Sequence, residues 1–328
     1  MINLSNKVTQ PNFSTKQQEL VDSFEGAEIF GKPKGASRTA RIISKILCLI
    51  CEEYQDNNPS DLIQQLKNVS KYFNATRGQM TPIIPNAIRR IMLNIDQNMH
   101  STESIKNLII KQSKLYEEES IQNIELITNH GTTILNDEKQ VLLYDYSSTT
   151  ASIIKGAAKQ SKQLKIIIPE SRALNGGIPL VKESISSNHE VLYITDAAIA
   201  QQIAEASLVV IGAESISNMG GCWNTTGSLS VAILADYYKI PFYVATELIK
   251  FDTINPEGVL RSAPWREITA IKKNDPILND KQVEVKAHDL DYIKGKLITA
   301  YITEKGILSP TKTVSAARIK YSTLKNIN

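Results

Sequence analysis

Between Val209 and Val244 the chain sets a carboxylate, several glycines and a row of hydrogen-bonding side chains close together. Val209-Val210-Ile211-Gly212-Ala213-Glu214 is an apolar run that ends in an acid. Ser215 to Ser228 is polar and glycine-rich, and an apolar helical run then leads to Ile240-Pro241-Phe242-Tyr243-Val244. The pattern predicts strand, loop, helix and strand, the βαβ unit of a parallel sheet. Glu214 then lies just past the C-terminal end of a strand, where open parallel sheets collect ligands. Gly212, Gly220, Gly221 and Gly227 let backbone come close to a ligand, and Asn224, Thr225 and Ser228 offer hydrogen bonds ahead of a helix N-terminus.

Three other strand ends carry similar chemistry. Val141-Leu142-Leu143-Tyr144 runs into Asp145-Tyr146-Ser147-Ser148-Thr149-Thr150, hydroxyls at a helix start that suit a phosphate. Leu164 to Ile168 leads to Pro169-Glu170-Ser171-Arg172-Ala173-Leu174-Asn175-Gly176-Gly177, and Val191 to Ile194 leads to Thr195-Asp196. Four polar loops on one sheet edge point to a phosphate-accepting site. Further upstream, Gly31 to Ser37 is a basic loop before a helix, which suits either a phosphate or a solvated turn. Arg77 stands in a loop near a helix start, placed to clamp an anion or to cap a carbonyl.

The elements that position these residues fall into two groups. Amphipathic patterns predict helices over 14–24, 38–54, 61–73 and 102–127, with a further helix opening at Pro85. Residues 1–127 therefore read as a helical N-terminal domain. From residue 128 short β-branched runs alternate with helical stretches around 149–159, 178–186, 198–204 and 229–238, and Thr132 to Leu135 reads as the first strand. That alternation predicts an α/β, doubly wound parallel-sheet domain over 128–328.

Composition narrows the function classes. The chain has 328 residues, 42% hydrophobic and 22% charged, as in an ordinary globular protein. A net charge of +3, spread along the chain, argues against nucleic acid as a direct partner. The polar start lacks the apolar core of a signal peptide, and no apolar run is long enough for a bilayer, so the expectation is a cytoplasmic protein without a membrane partner. Cys48 and Cys51 form a CxxC inside an apolar helix and read as core thiols. His100, His130, His189 and His288 lack metal-ligand spacing and read as surface or loop residues, so no metal is expected. Dinucleotide, P-loop and GxSxG fingerprints are absent, and no cofactor is expected.

Gly212-Ala213-Glu214-x-Ile216, Gly220-Gly221, Asn224-x-x-Gly227-Ser228 and Pro241-Phe242-Tyr243-Val244 resemble the most characteristic segment of one superfamily. It unites the alpha, beta and delta subunits of translation initiation factor 2B with methylthioribose-1-phosphate and ribose-1,5-bisphosphate isomerases. Pro169-Glu170-Ser171-Arg172 with Asn175-Gly176, Ile194-Thr195-Asp196, Lys34-Gly35-Ala36, Arg77 and Gly306-Ile307-Leu308-Ser309-Pro310 extend the match over nearly the whole chain. The resemblance implies a helical domain followed by a Rossmann-like one, dimerisation through the latter, and initiation factor 2B-type subunits as possible partners.

The isomerases of this superfamily interconvert an aldose 1-phosphate and its ketose, an intramolecular oxidoreduction, using a cysteine and an aspartate. In this chain the cysteine position falls on Tyr146, the aspartate position on Glu214, and the lysine after the family's asparagine on Thr225. One added methylene moves a carboxylate by about 1 Å, a shift that can cost ~100-fold in rate. A tyrosine, with a pKa near 10, does not replace a thiol near 8.5. Cys222 aligns with an ordinary apolar position. The residues that resemble ligand contacts persist: Lys34, Gly35, Ala36, Arg77, Ser147, Ser148, Arg172, Asn175 and Asn224. The expectation is a binder of a phosphorylated sugar or nucleotide, regulatory and non-catalytic, forming a homodimer or larger oligomer. The alternative is an aldose–ketose isomerase with Glu214 as acid/base and Tyr146 or Cys222 assisting. Glu214 after Gly-Ala, and Thr246-Glu247-Leu248-Ile249-Lys250-Phe251, also resemble the alpha subunit.

Overall fold

The structure, a computed structural model, describes residues 9–25, 35–98, 101–136, 139–253, 263, 265–272 and 275–321. The chain divides into two compact units at Gln122/Asn123, with Tyr321 grouped with the first.

In the first unit, α1 (Thr15–Glu25), α2 (Ala36–Glu53), α3 (Pro59–Thr76), α4 (Ile83–Ile91) and the first two-thirds of α5 (Thr102–Thr132) form the helical part. Apolar residues at helical spacing make one buried face on α2, with Ile43, Ile46, Leu47 and Ile50 inside. At the start of α3, Pro59 is preset for a first helical turn and the Asn58 side chain accepts the Ser60 N–H at 3.1 Å.

The second unit holds the end of α5, then β1 (Gln140–Tyr144), α6 (Ser148–Lys159), β2 (Lys165–Pro169), α7 (Gly177–Ser186), β3 (Glu190–Ile194), α8 (Ile199–Gln202), β4 (Leu208–Ile211), β5 (Ser215–Ile216) and β6 (Cys222–Thr225). It continues with α9 (Ser228–Tyr238), β7 (Phe242–Ala245), β8 (Trp265–Glu267), α10 (Thr269–Lys272), β9 (Lys286–His288), β10 (Leu290–Ile293), β11 (Ala300–Thr303), β12 (Gly306–Leu308) and α11 (Pro310–Tyr321). The main sheet runs β12-β11-β7-β4-β1-β2-β3 and is parallel except for β12. Its central strands are apolar on both faces, as a sheet covered on both sides requires, with Leu142 between Ile167 and Val209. One apolar cluster joins Ile127 and Leu135, Val141 and Leu143, Ile153 and Ile154, Ile166 and Ile168, Val210 and Ile302. The helical-then-α/β fold class read from the residues is thus the fold of the chain.

Several elements differ from their sequence reading. Thr132 to Leu135 is no strand: α5 runs through Thr132 and closes in a turn. The Lys162 ammonium donates to the Thr132 and Leu135 carbonyls, each at 2.7 Å, so a cation from a later helix end caps α5. The glycine-rich stretch after Glu214 is not a loop either. It folds into the ribbon β5–β6, which with β10 makes a separate antiparallel sheet. Gly220 permits the turn with φ 77°. The expected helix over 198–204 is a short α8 flanked by 3-10 turns. His189 is buried, not a surface or loop residue: its Nδ1 accepts the Leu164 N–H at 3.3 Å and its Nε2 bonds the Ile154 carbonyl at 2.9 Å. His130 lies within α5 and His288 on β9, while His100 falls outside the described residues.

Candidate functional site

From β1 the chain steps outward through β2 to β3, then crosses back to β4 on the other side of β1 and continues to β7 and β11. This is the 3-2-1-4-5-6 order, whose switch point, the preferred ligand crevice, lies between β1 and β4. Asp145 follows β1 and Glu214 follows β4 after Gly212 and Ala213, so two carboxyls flank the switch point.

Asp145 is the hub. It turns the chain off β1 in a left-handed conformation, φ 56°, rare for a residue with a side chain. Its carboxyl is buried and accepts two hydroxyl bonds, from Ser171 at 2.9 Å and from Thr225 at 2.6 Å. The loops after β1 and β2 and the end of β6 therefore meet on one group. Ser171 and Asn175 also have positive φ, 47° and 54°, so strained backbone gathers around this carboxyl. Gly176 supplies the space, since a Cβ there would lie 1.7 Å from Asp145 Oδ1. Burial pushes the Asp145 pKa up, with the Glu214 charge adding to it, while the hydroxyl and amide bonds pull the other way.

The neighbouring loops are fixed by two further carboxylates. Asp196, after β3, accepts the backbone N–H groups of Ser171 and Arg172, both at 2.9 Å. Asp291 on β10 accepts those of Gly227 at 2.7 Å and Leu229 at 3.1 Å, so it caps α9. The helix N-terminus that the sequence offers to a ligand is thus met by a protein carboxylate. Ser147 caps α6 by accepting the Thr150 N–H at 3.4 Å, and Ser148 opens that helix half-buried. Asn224 donates to the Ser228 hydroxyl at 2.9 Å. Arg172 and Asn175 are exposed at the rim, and Glu214 is half-buried. Tyr146 is half-buried too and leans on the apolar cluster beneath the sheet edge. Lys250, 6% exposed in the turn after β7, donates from Nζ to the Ala213 carbonyl at 2.7 Å and so places a buried cation on the backbone that leads into Glu214.

Cys222 is fully buried on β6 and bonded to Tyr301, and burial pushes its thiol up to about 12. Burial also raises Cys48, and Cys51 to about 12, on α2 of the first unit. Among the expected contacts in that unit, Gly35 caps α2 with extended backbone and Ala36 begins the helix. Arg77 ends α3, its guanidinium 5.7 Å from the centre of the Phe24 ring. Lys34 lies outside the described residues.

Sequence reasoning passed over Asp145, Asp196, Lys250 and Asp291 as individual contributors. Asp145 and Asp196 carried a signal, an acid directly after an apolar strand. Lys250 was legible as a lone cation in Leu248-Ile249-Lys250-Phe251. Asp291 had no local signal, because its partners lie some sixty residues away in sequence. Among the described residues no group of three or more His, Cys, Asp or Glu is placed to hold a metal ion.

With this geometry in view, comparison with known proteins is decisive at the family level. A model of the Initiation factor 2 subunit family matches residues 32–310. The chain belongs to that family. Within the Initiation factor 2 subunit family it is 27% identical over 307 residues to a ribose 1,5-bisphosphate isomerase of Pyrococcus furiosus, covering 92% of this chain and 93% of that protein. It is 24% identical over 257 residues to translation initiation factor eIF2B subunit alpha of Dictyostelium discoideum, covering 76% and 79%. In fold it is similar to the translation initiation factor eIF-2B of Pyrococcus horikoshii, with TM-score 0.76 and 22% identity over 92% of this chain and all of the other. The family therefore includes both sugar-phosphate isomerases and initiation factor subunits.

Proposed function

We propose that this chain is a ligand-binding, non-catalytic member of the family that recognises a phosphorylated sugar or nucleotide at the β1/β4 switch point. It acts there as a regulatory or assembly subunit, as a cytoplasmic homodimer or within a complex of initiation factor 2B-type subunits. The observation that carries the reading is the state of the thiols. The resemblance assigns catalysis to a cysteine, and the second unit's one cysteine, Cys222, is fully buried with its pKa pushed up to about 12. Tyr146, at the expected cysteine position, leans on the apolar cluster. Arg172, Asn175, Ser147, Ser148, Lys250 and Asn224 supply cations and hydrogen-bonding groups for phosphate and hydroxyls.

A second reading, an aldose–ketose isomerase, draws support from two carboxyls at the switch point, Glu214 and Asp145, near enough that the Glu214 charge acts on Asp145. One experiment separates the two. Ribose 1,5-bisphosphate, methylthioribose 1-phosphate and nucleoside monophosphates are screened by thermal shift, and each hit is followed by phosphorus NMR. A ligand at 100 times its Kd adds about 2.7 kcal/mol. Stabilisation without turnover is the expected result, and conversion to a ketose phosphate would replace the binding reading with the isomerase one.

A further inference from the structure

The ligand proposed above meets an electrostatic obstacle in its own site. Asp145, Asp196, Glu214 and Asp291 all stand around the C-terminal ends of β1, β3 and β4 and the start of α9. Glu214 acts on Asp145, and Asp196, Asp145 and Asp291 all act on Tyr144. Against them stand Lys250, whose ammonium is engaged by the Ala213 carbonyl, and Arg172, whose side chain is exposed. Glu170, half-buried where the loop after β2 begins, adds a further negative charge. A phosphate dianion entering such a site gains most if one of the carboxyls becomes neutral.

The hydrogen bonds set Asp145 apart from Asp196 and Asp291. Asp196 and Asp291 each accept two backbone N–H groups. An amide can only donate, so a proton on either group would find no acceptor among these partners. Asp145 accepts one such bond as well, from the Tyr146 amide, but its two side-chain partners are hydroxyls, Ser171 and Thr225. A hydroxyl donates to a carboxylate and, turned over, accepts from a carboxylic acid. The same three side chains thus hold both protonation states without moving heavy atoms. The group is buried at 9% exposure, and its pKa is raised by burial and by Glu214.

We propose that Asp145 takes up a proton from solvent when an anionic ligand occupies the site, and so sets the affinity of the site for phosphorylated ligands. No other covalent bond changes: a carboxylate becomes a carboxylic acid, and one of the two hydroxyls reverses its hydrogen bond. This rests on the phosphorylated-ligand reading and adds to it the residue that makes room for the charge. A purely structural Asp145 would behave differently, because its loss could only weaken binding.

The test is isothermal titration calorimetry of the full chain and of Asp145→Asn with ribose 1,5-bisphosphate, methylthioribose 1-phosphate and AMP between pH 7 and 9. Phosphate monoesters have a second pKa near 6 and are dianionic across this range. For the wild type, affinity should fall as pH rises, by up to about tenfold per pH unit, the limit for one proton. Asp145→Asn, neutral at every pH, should lose that slope and bind more tightly than the wild type at pH 9. Weaker binding by the variant with an unchanged slope would overturn the proposal. Should the variant fail to fold, wild-type titrations in buffers of different ionisation enthalpy decide the matter, by counting protons taken up: about one sustains the proposal and none overturns it. Absence of binding to all three compounds would remove the underlying reading and this proposal with it, whereas binding without proton uptake removes this proposal alone.

Discussion

At pH 8 a thiol with a pKa near 12 is thiolate in only about one molecule in ten thousand, and Cys222 is also fully buried. Native protein treated with iodoacetamide at pH 8 should therefore leave Cys222 unmodified by mass spectrometry, with alkylation following only after unfolding in guanidinium. Rapid native labelling would show that β6 opens. Asp145 gives a pH prediction of the opposite kind from a salt-bridged carboxylate. Its folded pKa is raised, so the unfolded chain gives up the proton first, near pH 3.9, and the stability this group contributes declines as pH rises from there through its folded pKa. The stability of Asp145→Asn relative to the wild type should accordingly rise over that interval, read from urea midpoints. Gly176→Ala should cost about 1–3 kcal/mol through overpacking, because its Cβ would meet Asp145 Oδ1 at 1.7 Å. At this scale the sequence made the polar residues of the strand ends legible. It did not make legible which of them are consumed inside the protein, because Thr225 and Asp145 meet across eighty residues of chain.

Among the elements, α9 shows how a helix end receives its cap from outside its own segment. Asp291 on β10 accepts two of its first N–H groups, a pairing possible only because β10 lies beside β6. Asp291→Ala should lower stability by about 1 kcal/mol, the usual worth of an N-terminal cap, and Asp291→Asn, which keeps an acceptor, should lose less. Urea denaturation checks both. The strands β1, β2, β3, β4 and β7 were legible within a residue or two as short β-branched runs between turn residues. The ribbon β5–β6 was not, since its two short strands pair with each other and with distant β10, so its glycines read as loop. Thr132 to Leu135 read as a strand by composition, yet the α5 helix and its Lys162 cap overrode local preference.

For the molecule as a whole, the second unit's sheet depends on its late strands. β11 pairs with β7 and brings Ile302 into the same buried cluster as Val141, Ile154 and Val210. Ile302→Ala should cost about 2–5 kcal/mol in global unfolding by denaturant. The amino-acid sequence by itself determined the division into a helical part and a parallel-sheet part, because periodicity is a local property that each segment carries alone. It also determined family membership, carried by motifs spread along the chain. Tertiary structure decided the strand order that puts the switch point between β1 and β4, the burial of Cys222, and the meeting of Ser171, Thr225 and Asp145. Those outcomes arise from contacts between residues far apart in the chain, and burial, hydrogen-bond direction and pKa exist only once such contacts have formed.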